Sequence, residues 1–152
     1  MYEYAIFQRE DMALCWQGIC GGVEGEETLE EGARREVYEE AGIKEQLPLY
    51  QLESISFLPA DLFDEEEREK WGRDMVVIPM YFFAMAYDGE IHLSQEHTDV
   101  RWLGYKEAYD LIYYTDQKVA LYELNEKLLR NLLHGKSKRS LLPLTGEKHI
   151  LP

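Results

Sequence analysis

Three glutamates, Glu36, Glu39 and Glu40, lie in a stretch from Thr28 to Ala41 that has no proline and one interior glycine, Gly32. That composition favours a helix. Thr28, followed three residues later by Glu31, reads as a capping box at its start, and Gly42 as its stop. At about 100° per residue, Leu29, Ala33 and Val37 form an apolar stripe at roughly 0°, 40° and 80°. On the same wheel Glu40 falls at about 20°, Glu36 at about 340° and Glu39 at about 280°. Two carboxylates therefore share the side that faces the protein, and the third borders them. Glu-rich helices usually present a solvated face, and Glu30 and Glu31 fit that ordinary role. Glu36 and Glu40 fit it poorly, because carboxylates against a core are costly unless paired or bound to a cation. Hard oxygen donors with no matching His or Cys set favour Mg2+ or Mn2+.

The loop before this helix holds Gly21, Gly22 and Gly25, which allow tight turns and close approach of backbone to a ligand. From Gly21 to Ile43 the chain reads GGVEGEETLEEGARREVYEEAGI. It has Gly21, five residues, Glu27, seven residues, then Arg35-Glu36-Val37-Tyr38-Glu39-Glu40-Ala41-Gly42-Ile43. The pattern resembles the Nudix box, a metal-binding loop–helix–loop, at every fixed position. The resemblance implies an α/β fold, the Nudix α/β/α sandwich with a mixed β-sheet between helices. It also implies hydrolysis of a nucleoside diphosphate linked to another group, by water attacking phosphorus. Glu36, Glu39 and Glu40 would then ligate Mg2+, with Mn2+ as a substitute, and a carbonyl at Gly21 or Gly22 would complete the shell. Glu27 and Arg35 match the positions that brace the loop against the helix. Their plainer role is a surface ion pair worth under about 1 kcal/mol. Cys20 stands where many members have Pro, a departure that bears on loop rigidity and not on catalysis.

Some group must take the proton of the attacking water. Glu39 or Glu40 could, if not fully used as a ligand. Glu96 is the better outside candidate, in Ser94-Gln95-Glu96-His97-Thr98-Asp99-Val100-Arg101-Trp102-Leu103. This segment resembles the one found after the box in dihydroneopterin triphosphate/dATP pyrophosphohydrolases and in asymmetric diadenosine tetraphosphate hydrolases. In such enzymes a carboxylate from this loop faces the metals. A turn with a solvated Glu is the ordinary alternative, and His97 reads as a hydrogen-bonded structural residue. Trp16-Gln17 before the box resembles the first subfamily and makes Trp16 a candidate substrate-binding residue. The run Leu93 to Ala108 resembles the second at least as well. The tyrosine which that group often carries past the box is not found at Pro59, Ala60 or Asp61. Trp71, Tyr81 and Phe82 could also stack on a base, though packing is the commoner role of an aromatic. The expected reaction is hydrolysis of a dATP-like nucleoside triphosphate to monophosphate and pyrophosphate. The alternatives are a dinucleoside tetraphosphate or ADP-ribose-type hydrolase, or a nucleotide-binding module without turnover.

Composition sets outer bounds. The 152 residues suffice for one domain with a real core. A formal net charge of −14 argues against a nucleic-acid polymer as partner but not against a small phosphorylated nucleotide. Gly21 to Ile43 alone holds eight Glu and two Arg, a net of −6, so a polyphosphate reaches this surface only with cations between. No apolar run reaches the length of a membrane span, and nothing at the start reads as a signal peptide. Cys15 and Cys20 read as reduced thiols, and the expected location is the cytoplasm. A homodimer is left open.

Elements must position these groups. Strands are expected at Tyr4–Phe7, Ala13–Ile19, Leu47–Phe57, Met75–Tyr87 and Val100–Leu103. Pro79 is expected to force a bulge in the most apolar strand. Asp88-Gly89 signals a hairpin returning through Ile91-His92-Leu93. Asp61 to Arg73 reads as an exposed loop or short helix, and Tyr105–Tyr113 and Gln117–Leu133 as helices. Residues 1–133 form the expected domain, and residues 134–152 a mobile tail. Family members usually have one more strand before the box, which implies either an upstream start or a sheet short of an edge.

Overall fold

A computed structural model describes residues 1–133 and 144–151. Strand alternation sets its layers. In β1 (Glu3–Arg9), Tyr4 and Ile6 pack to one side and Ala5 and Phe7 to the other. Successive side chains of a strand point to opposite faces, so a strand apolar on both is covered twice. The Tyr4–Ile6 side meets α3 (Tyr105–Leu111) and α4 (Thr115–Leu129), through Ala108, Leu121 and Leu124. The Ala5–Phe7 side meets α1 (Leu29–Ala41), through Val37 and Ala41. The apolar run near residue 80 behaves likewise in β5 (Val77–Ala86): Phe82 and Ala84 join the first cluster, and Met85 the second. The result is an α/β/α sandwich.

The strands form two ladders. One has the order β2-β1-β6, with β2 (Trp16–Gln17) and β6 (His97–Gly104) both antiparallel to β1. The other has the order β3-β7-β5-β4, in which β3 (Ile19–Gly22) runs parallel to β7 (Leu144–Leu151) and the remaining pairs are antiparallel. β4 (Leu49–Pro59) forms its edge. After a 3-10 turn at Ala60–Leu62, α2 (Glu65–Trp71) starts on an Asp64 cap and carries no buried residue. Among the described residues no helix is long and apolar enough to cross a membrane. Both cysteines are free thiols.

Several sequence expectations change. The second strand is two strands, because the Gly18 N–H leaves the ladder to donate to Gln117 Oε1 at 2.9 Å. Pro79 pairs opposite Phe57 without a bulge, and the register shift lies between Gln51 and Ile55. Ile91-His92-Leu93 is not a returning strand. Instead His92 N donates to Ala41 O (3.0 Å) and Ser94 N to Glu40 O (3.3 Å). These N–H groups satisfy carbonyls that the end of a helix leaves open. Residues 144–151, read from sequence as tail, form β7 between β3 and β5, where no local pattern announced a strand; residues 134–143 and 152 lie outside the described residues.

Helix α4 offers a direct test of the layer assignment. Leu124 is fully buried whereas Leu129, on the same helix, is 67% exposed. Leu124→Ala is expected to cost about 2–5 kcal/mol. Leu129→Ala is expected to cost under about 0.5 kcal/mol. Urea unfolding curves of the two variants measure the difference.

Candidate active site

Local sequence fixes helix α1 before any tertiary contact does. Thr28 Oγ1 accepts from Glu31 N (3.2 Å) while the Glu31 carboxylate accepts from Thr28 N (3.0 Å), a complete capping box. Gly42, at φ 72°, closes the helix in the left-handed region. Packing of Ala33, Val37 and Ala41 then turns Glu36 and Glu40 inward. They are 8% and 2% exposed, respectively. Glu39 stays exposed at the margin.

The Glu36 carboxyl lies against β3. A Cβ on Gly21 would collide with the Glu36 carboxyl, so a larger residue there would displace that side chain from its present place. Gly21 thus serves by having no side chain, which the composition of a glycine loop does not reveal. Arg35 ties loop to helix. It donates from Nε to Glu27 Oε1 (2.8 Å) and from Nη2 to the Gly22 carbonyl (2.6 Å). Its Nη1 meets Glu36 Oε1 (2.7 Å) and Glu39 Oε2 (3.0 Å). The structure therefore brings Glu27 and Arg35 together and adds two of the candidate ligands to the same guanidinium.

Glu96 reaches this region from the loop before β6. Its carbonyl accepts from Glu10 N (2.9 Å) and its N–H meets Ser94 Oγ (3.2 Å), while the side chain is exposed. Glu40 feels it. Burial, then the neighbouring carboxylates of Glu96 and Glu36, push the Glu40 pKa up to about 10. Burial also raises Glu36, with the Arg35 guanidinium opposing the shift. His97 is 6% exposed, its ring 5.2 Å from that of Phe7, and burial lowers its pKa. His97 Nδ1 and Glu40 Oε2 are 3.6 Å apart, and neither atom has a hydrogen-bond partner. This contact is not an ion pair, since burial keeps the imidazole neutral and the carboxyl protonated.

The donor set fits a hard divalent cation. Glu36 and Glu96 each act on Glu40, an oxygen of Glu40 is buried without a partner among the described residues, and a positive ion would offset the repulsion that raises Glu40. The ligands are not preassembled: among the described residues no three His, Cys, Asp or Glu side chains are gathered as a set. Glu36 and Glu39 would have to turn from Arg35 toward the ion. Trp16 is 6% exposed, with the Arg101 guanidinium 4.5 Å from its ring centre, so its faces are taken by packing. Phe82 is buried, and Trp71 packs edge-on to Phe63 at 5.0 Å. Sequence reasoning passed over Arg9, which the β1–β6 register sets opposite His97. No short-range pattern signals that pairing.

Comparisons with known proteins bear on the family and the fold. A family model described as the NUDIX domain matches residues 5–124. The asymmetrical bis(5'-nucleosyl)-tetraphosphatase of Sus scrofa is 33% identical over 121 residues, covering 80% of this chain and 77% of that protein. Among solved structures, a protein described as a Nudix hydrolase of Listeria monocytogenes superposes with a TM-score of 0.75 at 28% identity, covering 89% of this chain and 99% of that one. The E. coli dihydroneopterin triphosphate pyrophosphohydrolase shares the fold, with a TM-score of 0.61 at 24% identity over 80% of this chain and 85% of that one.

The Glu40 carboxyl yields a pH prediction for the metal-free protein. Its folded pKa, about 10, lies above the ordinary 4.5, so the folded state keeps a proton that the unfolded chain releases. The stability this group contributes is present below that ordinary value and is lost as pH rises toward the folded one. Glu40→Gln mimics the neutral carboxyl. Without metal it should melt at least about 3 °C above wild type near pH 8 and coincide with it near pH 4. Adding Mg2+ should raise the melting temperature of wild type more than that of the variant.

Proposed function

The chain belongs to the Nudix family and is a hydrolase acting on phosphoric anhydride bonds; on that premise we propose that it cleaves a dinucleoside tetraphosphate unequally, to a nucleoside triphosphate and a nucleoside monophosphate. The observation that carries this reading is the 33% identity to an asymmetrical bis(5'-nucleosyl)-tetraphosphatase across 80% of the chain. It supports this reading over the nucleoside triphosphate expected from Trp16-Gln17. The burial of Trp16 supports that preference, since a ring packed under Arg101 offers no open face to a base. The triphosphate reading keeps one support, the fold shared with the dihydroneopterin triphosphate enzyme.

In this reading Glu36, Glu39 and Glu40 would hold divalent cations, Mg2+ with Mn2+ as substitute, and the backbone carbonyl of Gly21 would complete the shell. When bound, such ions neutralise phosphate oxygens and activate water for attack. The residues of the chain do the rest. Gly21 leaves space for the Glu36 carboxyl, and Arg35 holds the loop against α1. Glu96, exposed beside Glu40, takes the proton of the attacking water in this reading. Water adds to one phosphorus and the bond to the bridging oxygen breaks. The leaving phosphate departs with that oxygen.

Incubation with a nucleotide panel in Mg2+, with products identified by chromatography, tests the substrate. Diadenosine tetraphosphate should give ATP and AMP. Release of pyrophosphate from triphosphates, with the tetraphosphate untouched, would restore the earlier expectation. Glu39→Gln and Glu40→Gln should each lower kcat by about 100-fold or more while circular dichroism stays unchanged. Glu96→Gln should lower kcat less, by about tenfold. Near-normal turnover in either of the first two would remove the proposed ligand roles.

A further inference from the structure

A polyphosphate chain longer than its contacts with one helix needs further positive charge, and the cation nearest the inward carboxylates cannot provide it. Arg35 is committed to Glu24, Glu27, Glu36, Glu39 and the Gly22 carbonyl. Arg9, at the end of β1, has no carboxylate of α1 among its ion-pair partners in the described residues. The β1–β6 register places Arg9 opposite His97, and the next residue, Glu10, donates its N–H to the Glu96 carbonyl at 2.9 Å. The register is irregular between Gln8 and Arg9, but the Arg9 charge acts on the His97 imidazole, and the Phe7 ring lies 5.2 Å from that of His97. His97 in turn lies 3.6 Å from Glu40. Arg9 and Glu40 thus both neighbour His97.

Its guanidinium is oriented but not used up. Nε donates to Asp11 Oδ1 at 2.7 Å and Nη2 to Asp11 Oδ2 at 2.5 Å. Nη1 faces Tyr114 Oη at 3.5 Å, a long contact. An arginine has five N–H donors, and the Asp11 fork takes two of them. The side chain is partly exposed, at 31%. A charged planar fork with unused donors, fixed by a carboxylate behind it, suits a phosphate group. The ordinary alternative is a brace for the tight β1–β2 turn, worth under about 1 kcal/mol as a partly exposed pair.

We propose that Arg9 is a substrate-binding residue, whose guanidinium takes phosphate oxygens of the polyphosphate chain on the β1 side of the site while Asp11 fixes its orientation. The proposal rests on reading the protein as a polyphosphate hydrolase and deepens it by naming where the chain beyond the scissile phosphate is held.

Calorimetric titration with inorganic tripolyphosphate in Mg2+, beside steady-state kinetics on the nucleotide that the protein cleaves, tests it. Arg9→Ala should weaken tripolyphosphate binding and raise KM by about tenfold or more, with kcat changed less than about threefold. Arg9→Lys should recover part of both. Asp11→Ala breaks the same ion pair but keeps the cation, so it should weaken binding less than Arg9→Ala. Arg130→Ala, on an exposed pair at the end of α4, serves as the unchanged control. Arg9→Gln replaces Arg9→Ala if thermal melts show the alanine variant unfolded. Binding and KM in the Arg9 variants within about twofold of wild type overturn the assignment, as do equal effects of Arg9→Ala and Asp11→Ala. If wild type cleaves its nucleotide and Arg9→Ala matches it, Arg9 loses its role and the hydrolase reading stands. If wild type cleaves nothing on the panel yet binds tripolyphosphate far more tightly than Arg9→Ala, the hydrolase reading falls and the Arg9 site stands.

Discussion

Carboxyl groups turned inward on one helix set the terms for the rest of this structure. Glu40 is almost wholly buried and Glu36 nearly so, and with Glu96 close by Glu40 keeps its proton far above the ordinary carboxylate range. Such groups gain nothing from water and repel one another. They stay in place because the hydrophobic face of α1 is anchored by Ala33, Val37 and Ala41, each 2% exposed or less. The core holds the acids where they are least stable, and a cation bound among them would relieve that instability.

The elements around the helix serve that constraint. β3 brings Gly21 under Glu36 without a side chain, so the carboxyl and the backbone share one space. The loop from residue 88 to 96 spends its N–H groups on the last carbonyls of α1 and so carries Glu96 to Glu40. Arg35 gathers the loop and two of the outer carboxylates around one guanidinium. A cation entering the site would compete with Arg35 for Glu36 and Glu39. Glu40 is outside the Arg35 cluster, and its buried oxygen has no hydrogen-bond partner among the described residues.

Much of this was legible in the residues and some was not. The helix with its Thr28 cap and Gly42 stop was readable because caps are local chemistry, satisfied within four residues. The inward turn of Glu36 and Glu40 followed from helical period alone. The strand pattern was readable for β1 and β5 because both faces are buried and the apolar run is continuous. Three readings failed for a common reason. Ile91-His92-Leu93 looks like a returning strand, Ala13–Ile19 looks like one strand, and residues 144–151 look like tail. In each case the partner of the backbone N–H groups lies far along the chain, at the end of α1, on Gln117, or on β3 and β5.

The sequence by itself determined the chemistry: which side chains are acidic, at what spacing, on which side of a helix, and hence what kind of ion they attract. Helical period and capping are short-range, so twenty residues carry them. Only the tertiary structure decided which groups from elsewhere share the space. It packed Trp16 away under Arg101, set His97 against Glu40, and laid Arg9 across from His97 through strand register. Those placements depend on which strand faces which. Pairing between residues some ninety positions apart is settled by the burial of whole faces, and no window of sequence contains it.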